Sequence, residues 1–177
     1  MSEKSSILLD QTAIRKAVSR IAHEIIERNP GLDDLMLVGI RSRGIHLAHR
    51  IAARLHDLAG KDVPVGSIDI SPYRDDTDRP ADRIEATSAD VPLPIDHRVV
   101  GLVDDVLATG RTVRVALDVL SGLGRPRAVQ VAVLVDRGER EVPIRADYVG
   151  FNVAPGEPRR VHVRVREVDG TDEVALQ

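Results

Sequence analysis

The chain has 177 residues, a formal net charge of −3, no cysteine and no tryptophan, and its aromatic residues are Tyr73, Tyr148 and Phe151. Lack of cysteine excludes disulfides, thiolate metal sites, redox dithiols and cysteine nucleophiles, and so few aromatics exclude a single-strand nucleic-acid binder built on rows of stacking rings. The longest apolar run, Leu35 to Ile40, is far below the roughly 20 residues that span a bilayer, and the first residues lack the basic-then-apolar order of a signal peptide. The reading is one soluble, cytoplasmic domain with an aliphatic core.

Asp10 is a suitable N-cap for a first helix, because Ile14, Val18, Ile21 and Ile25 follow at spacings of four, three and four and form one buried face. Asn29-Pro30-Gly31 stops it. Leu35 to Ile40 is a continuous apolar run of strand length, the pattern of a strand covered on both faces. Gly44 opens a second helix through about Leu58, and Val65 to Ile70 reads as a strand. From Ser71 to His97 no periodicity is clear. A segment of more than 20 residues without regular structure is often an active-site lid, with inconsequential disorder as the alternative. Val99 to Val103 is another buried strand, followed by a helix from about Gly110 to Ser121. Ala128 to Val135 is a third buried strand, and Tyr148 to Val153 and Val161 to Arg166 read as short strands. None of the three aromatics falls in the aliphatic core segments.

Alternating strands and helices imply right-handed crossovers and an α/β fold: a single domain with a mostly parallel central sheet flanked by helices. Ligands of such sheets bind beyond the carboxyl ends of the strands. Charge is distributed unevenly along the chain. All but Lys4, Lys16 and Lys61 of the 25 basic side chains are Arg, a residue whose planar fork suits phosphate and carboxylate oxygens; an arginine-rich coding sequence is the plain alternative.

The most informative strand end is Val103-Asp104-Asp105-Val106-Leu107-Ala108-Thr109-Gly110-Arg111-Thr112. Two adjacent carboxylates precede a short loop that opens a helix. The free N–H groups of a helix start, with the Thr109 and Thr112 hydroxyls, make a cradle for a phosphate. Two neighbouring acids need hydroxyls or a divalent cation to satisfy them, so a phosphate site one turn from a diol site describes a ribose 5-phosphate. The competing reading is two Asp side chains that cap the loop. A receiver domain would need a late lysine, and no Lys follows position 61. A nucleotide-binding loop of the Gly-Lys-Ser/Thr type is also absent. The second strand end, Arg41-Ser42-Arg43, is by pattern alone a basic turn before a helix, in solvent or at an anion.

The run from Val99 to Thr112 resembles the 5-phosphoribosyl 1-pyrophosphate (PRPP) motif of type I phosphoribosyltransferases. Ser19-Arg20-Ile21-Ala22-His23, Val38-Gly39-Ile40-Arg41-Ser42-Arg43-Gly44, Tyr73-Arg74-Asp75-Asp76 and Ala132-Val133-Leu134-Val135-Asp136-Arg137-Gly138 narrow it to the bifunctional pyrimidine operon regulatory protein/uracil phosphoribosyltransferase family. The resemblance covers about Ile7 to Val174. It implies the type I fold with a small base-binding hood, about 136–166, and a flexible lid, about 71–97. It implies that uracil and PRPP give UMP and diphosphate, with Asp104 and Asp105 on the ribose hydroxyls and Val106, Leu107, Ala108, Thr109, Gly110, Arg111 and Thr112 around the 5-phosphate. Arg41, Ser42 and Arg43 would grip the pyrophosphate, and Tyr73 and the catalytic Arg74 would close over the substrate. Asp136, Arg137 and Val161 would read uracil or UMP, and the lack of a lysine in this half favours a pyrimidine over a purine. Mg2+ would arrive on PRPP, with no direct protein ligand.

The resemblance also implies that the chain, loaded with UMP or UTP, binds leader mRNA of pyrimidine genes and changes transcription attenuation. The RNA surface would hold Ser19, Arg20, His23, Arg140 and Arg145, on a homodimer or higher homo-oligomer. Glu139 stands where the family usually has His, Phe151 where it has Lys, and Ala154-Pro155-Gly156-Glu157-Pro158 where it has a Ser/Thr turn. These replacements weaken attraction to phosphate. Ala108 replaces a usual Tyr and Pro72 a usual Leu, without loss of charge. Three readings stay open: the bifunctional enzyme and regulator, a uracil phosphoribosyltransferase without RNA binding, and a UMP-sensing RNA regulator without turnover.

Overall fold

A computed structural model describes residues 5–71 and 89–177. Its main sheet holds strands β2 (Leu35–Ile40), β3 (Val65–Ile68), β4 (Ala89–Asp90), β5 (Val99–Leu107), β6 (Ala128–Asp136) and β7 (Tyr148–Asn152) in the order β4-β3-β2-β5-β6-β7. All neighbours pair in parallel except β4, which runs antiparallel along β3. Helices α1 (Gln11–Arg28) and α2 (Arg43–Ala59) share one hydrophobic cluster with one face of this sheet, and α3 (Arg111–Leu123) shares another with the opposite face.

The alternation along β2 shows why a continuous apolar run was needed. Leu35 and Leu37 join the α1/α2 cluster, whereas Met36, Val38 and Ile40 join the α3 cluster, as the period of two in a strand demands. Each fully buried Leu or Ile contributes about 1.5–3 kcal/mol. The first turn of α2 sits very close to the sheet because two glycines allow it. A Cβ on Gly39 would lie 2.3 Å from the Ile45 Cα, and one on Gly44 would lie 2.5 Å from the Val103 carbonyl oxygen. This approach brings the start of α2 beside the end of β5.

A second, three-stranded antiparallel sheet has the order β1-β9-β8, from β1 (Ser6–Leu9), β8 (Val161–Arg164) and β9 (Glu173–Leu176), with the short helix α4 (Arg166–Asp169) between β8 and β9. It draws on both ends of the chain, which an expected hood of 136–166 leaves out; β7, inside that range, belongs to the main sheet. The stretch 71–97 is also more structured at its end than a lid implies. Ala89–Asp90 pairs with Ser67 and Ile68, and Ile95 is buried in the α3 cluster. Pro72, Tyr73 and Arg74 lie outside the described residues.

One aromatic departs from expectation. Tyr148 is part of the core at 3% exposure, its hydroxyl donating to Gln130 Oε1 at 2.7 Å while Asn29 Nδ2 donates to that hydroxyl at 3.3 Å. A buried tyrosine needs such partners for its oxygen, and they come from residues far away in sequence. Asp10 caps α1 as expected, accepting from the Ala13 N–H at 2.8 Å.

Candidate active site

The carboxyl ends of β2, β5 and β6 lie side by side, because Gly39 registers with Val103 and Leu107 with Asp136. At the end of β5, Asp104 is only 7% exposed. Its Oδ1 accepts from the Asp105 N–H at 2.8 Å, and Asp105 Oδ1 accepts from the Val106 N–H at 2.8 Å. Both acids are thus oriented by the backbone, and the loop-capping reading holds in part. Arg43 stands within electrostatic reach of Asp105. Its guanidinium is raised above the usual arginine range mainly by its hydrogen bonds to Asp169, burial opposing, with the Asp105 charge adding a smaller share.

The loop after β5 turns at Gly110, which adopts φ +89° and starts α3 without a side-chain cap. Only glycine takes this conformation without strain. Thr109 Oγ1 accepts from the Arg111 N–H at 3.3 Å. The carbonyls of this loop are all engaged on one side. Leu107 O accepts from the Arg137 N–H at 2.8 Å, and Thr109 O accepts from the N–H groups of Glu141 and Val142 at 2.9 and 3.2 Å. Ala108 O accepts from Arg140 Nη1 at 2.9 Å.

After β2, the Arg41–Ser42 peptide is cis. The Arg41 N–H donates to Ile68 O at 2.9 Å and its Nε to Ser67 Oγ at 3.1 Å. Ser42 is the N-cap residue of α2 but makes no side-chain capping bond. Arg43 forms a two-pronged pair with Asp169 of α4 at 2.7 and 3.1 Å, and Arg50 grips both Glu167 and Asp172, its closest contacts 2.5 and 2.7 Å. Two α2 arginines therefore clamp the small sheet to the main body. Nothing in the sequence pattern marks these pairs, since the partners are more than 100 positions apart.

At the end of β6, Asp136 accepts from Arg140 through both oxygens, at 2.9 and 2.7 Å, and from the Gly138 N–H at 2.8 Å. Burial pushes this carboxyl upward, but Arg140 and the Gly138 N–H outweigh it and hold it below the usual aspartate value. Arg137 donates through Nη2 to Glu139 Oε1 at 3.1 Å and to Glu157 O at 3.0 Å, and its Nε is buried without a partner. Val161 is half-buried on β8, opposite Leu176.

The expected RNA residues do not form one outward face. Ser19 accepts from Arg54 Nε at 3.0 Å and so faces α2, whereas Arg20 donates to the Gly150 carbonyl of β7. His23 and Arg145 are exposed. Arg140 is turned inward, donating to Asp136, Ala108 O and Ile144 O, because a guanidinium beside a half-buried carboxylate gains more from that pair than from solvent. Glu139 pairs with Arg137, and Phe151 packs against the core. A groove of about 650 Å³ between α1, α2 and α4 collects Arg15, Lys16, Arg50, Arg54 and Arg166 around Ser19, with Asp57, Glu167 and Asp172 also on its wall, a grouping that no local pattern marks because its members come from separate elements. Among the described residues no group of three or more His, Cys, Asp or Glu side chains could hold a metal ion, and no helix is long and apolar enough to cross a membrane.

Residues 4–165 match the family model described as phosphoribosyl transferase domain. The chain belongs to the phosphoribosyltransferase family. Within that family it is 56% identical to the bifunctional protein PyrR of Chloroflexus aurantiacus over 99% of this chain and 95% of the relative. It is 51% identical to the protein of that name in Pelotomaculum thermopropionicum, over 99% and 97%, and 51% identical to that of Bacillus subtilis, over 99% and 98%. Among solved structures, a hypoxanthine phosphoribosyltransferase from Staphylococcus aureus superposes with a TM-score of 0.74 at 19% identity, over 97% of this chain and 92% of the other. That of Trypanosoma cruzi gives 0.73 at 21%, over 97% and 95%. At such identities these likenesses establish the phosphoribosyltransferase fold.

Proposed function

We propose that the chain transfers the phosphoribosyl group of PRPP to uracil, giving UMP and diphosphate, and that in its nucleotide-loaded form it regulates pyrimidine genes by binding leader mRNA. The carrying observation is the end of β5: two backbone-oriented carboxylates one turn before a helix start opened by a left-handed glycine, with an arginine turn beside them. The name of its full-length relatives, bifunctional protein PyrR, supports both halves.

In the reaction the bond from the anomeric carbon to the diphosphate oxygen breaks and a bond from that carbon to uracil N1 forms. The N1 proton passes to the medium. Positive charge grows on the sugar, and catalysis consists of positioning and charge neutralisation. The N–H groups of 108–112 hold the 5-phosphate, Asp104 and Asp105 accept from the ribose hydroxyls, and Arg41, Ser42 and Arg43 take the diphosphate. Because Arg43 is paired with Asp169, the diphosphate either exchanges with that carboxylate or shares the arginine with it. Asp136, Arg137 and Val161 read the base. Arg74 and Tyr73 act from the lid. Magnesium carried by PRPP would supply charge neutralisation at the leaving diphosphate; were it to touch the chain, the hard oxygen donors at this site are Asp104 and Asp105.

Radiolabelled uracil and PRPP should give UMP with purified protein, and UMP should retain the leader RNA of the chain's own gene on it. A second reading, an enzyme without RNA binding, is favoured by Glu139 and by the inward turn of Arg140. Turnover without RNA retention selects it. A cytoplasmic homo-oligomer is the expected form of either.

A further inference from the structure

The geometry points to Arg140 as a positioning residue of the transferase site, one that fixes the phosphate-binding loop so that three successive N–H groups face the ribose 5-phosphate. This rests on the assignment of the 5-phosphate to that loop.

In a planar trans peptide the C=O and the N–H of the next residue point in opposite directions. The carbonyls of Leu107, Ala108 and Thr109 are each bonded to the segment 137–142. The N–H groups of Ala108, Thr109 and Gly110 therefore point the other way, away from that segment. A row of N–H groups presented by a tight turn is a recurring anion cradle. If a carbonyl rotated into it, the lone pairs of that carbonyl would repel the phosphate.

Two of the three carbonyls are held by backbone N–H groups. The middle one, of Ala108, is held among the described residues by Arg140 Nη1 alone. The same guanidinium takes both oxygens of Asp136 and, through Nε at 2.6 Å, the carbonyl of Ile144. Four acceptors from three stretches of chain are joined by one planar fork, which lysine cannot imitate. The segment also closes on the turn by packing, since a Cβ on Gly110 would lie 2.8 Å from Val142 Cγ2. Four of the five guanidinium N–H groups are used inside the protein. Arg140 thus belongs to the phosphate loop rather than to an RNA face, and through Asp136 it links the strand end beside the base to the loop beneath the phosphate.

The test compares the purified full-length protein with Arg140→Gln and Arg140→Lys. Ribose 5-phosphate binding is measured by titration calorimetry, KM for PRPP and for uracil by turnover, and Tm by calorimetry. Loss of hydrogen bonds to a charged group predicts a roughly 10- to 100-fold weaker ribose 5-phosphate affinity and a parallel rise in KM for PRPP in Arg140→Gln. Arg140→Lys should lie between that variant and the wild type, and KM for uracil should move by far less. Unchanged ribose 5-phosphate binding in a folded Arg140→Gln overturns the inference, as does an equal loss for both substrates together with a lowered Tm. Loss of RNA retention with unaltered PRPP kinetics also overturns it. Ribose 5-phosphate binding needs no uracil chemistry, so a wild type that binds it without forming UMP would defeat the proposed activity and leave the role of Arg140 readable.

Discussion

The end of β5 and the outer side of α1 are built on opposite principles. At the end of β5 the ligand-facing groups are mainly backbone: N–H groups aimed by a glycine turn, and two carboxylates fixed by their own main chain. Only a few short-range residues are needed, and they stand in one contiguous stretch. On α1 the groups expected to meet RNA are side chains, and the fold engages two of them, Ser19 with Arg54 and Arg20 with Gly150. A backbone site can be recognised from local sequence. A side-chain surface depends on what the rest of the chain leaves unused.

Substitutions can break this contrast. The largest effect is expected at the acids. Asp104→Asn and Asp105→Asn should each lower kcat/KM for PRPP by about 100-fold through lost charge-assisted hydrogen bonds, checked by steady-state turnover, while RNA retention at saturating UMP persists. If RNA retention collapses equally, the two regions are not separable. Next, Gly110→Ala places a β-carbon at φ +89° against Val142, at a cost of about 1–3 kcal/mol. KM for PRPP should rise roughly tenfold or more, read alongside the denaturation midpoint to divide stability from binding.

On the other side, His23→Ala and Arg145→Ala remove exposed groups. They should weaken RNA retention several-fold and leave uracil turnover within about twofold, since surface changes remote from the chemistry perturb the fold by only about ±0.5 kcal/mol. Phe151→Lys should strengthen retention and steepen its salt dependence by about 0.7–0.9 in slope, the contribution of one added phosphate contact. A flat salt profile in that variant would move the RNA surface elsewhere, with the Arg15/Lys16/Arg54/Arg166 groove the next place to mutate.

The smallest effect concerns acid. Asp136 titrates below its ordinary value of 3.8 because Arg140 and the Gly138 N–H outweigh the penalty of its burial. Its contribution to stability is therefore complete above about pH 4–5 and disappears as pH falls through the depressed value. Between pH 5 and 3 the wild type should lose more stability than Arg140→Gln, as followed by urea midpoints. Equal losses would show that the Asp136–Arg140 pair is energetically idle.

Much of this architecture is written locally. The apolar runs at 35–40, 99–103 and 128–135 and the spacing of Ile14, Val18, Ile21 and Ile25 mark elements whose faces the structure buries. The acidic pair and Gly110 are equally local. Long-range features were not legible. Strands β1 and β9 are short and pair only with each other or with β8, and the acids that engage Arg43 and Arg50 carry no spacing signal. Tyr148 looks like a hood residue until Gln130 and Asn29 meet its hydroxyl inside the core. Arg140 looks like an RNA cation until Asp136 is found four residues before it with both oxygens turned toward it.

The pairing of Ser6 with Leu176 also sets an order of events at the ribosome. Strand β1 leaves the exit tunnel long before its partner β9 has been made, because more than 160 residues separate Leu9 from Glu173. The main sheet can complete its pairing once residue 152 has emerged. Until then and beyond, the edge of β1, with Ile7 still 63% exposed even in the finished protein, has no strand beside it. The small sheet thus closes only after β9 has emerged, across the whole stretch that carries the main sheet, and its formation is the step that waits on translation.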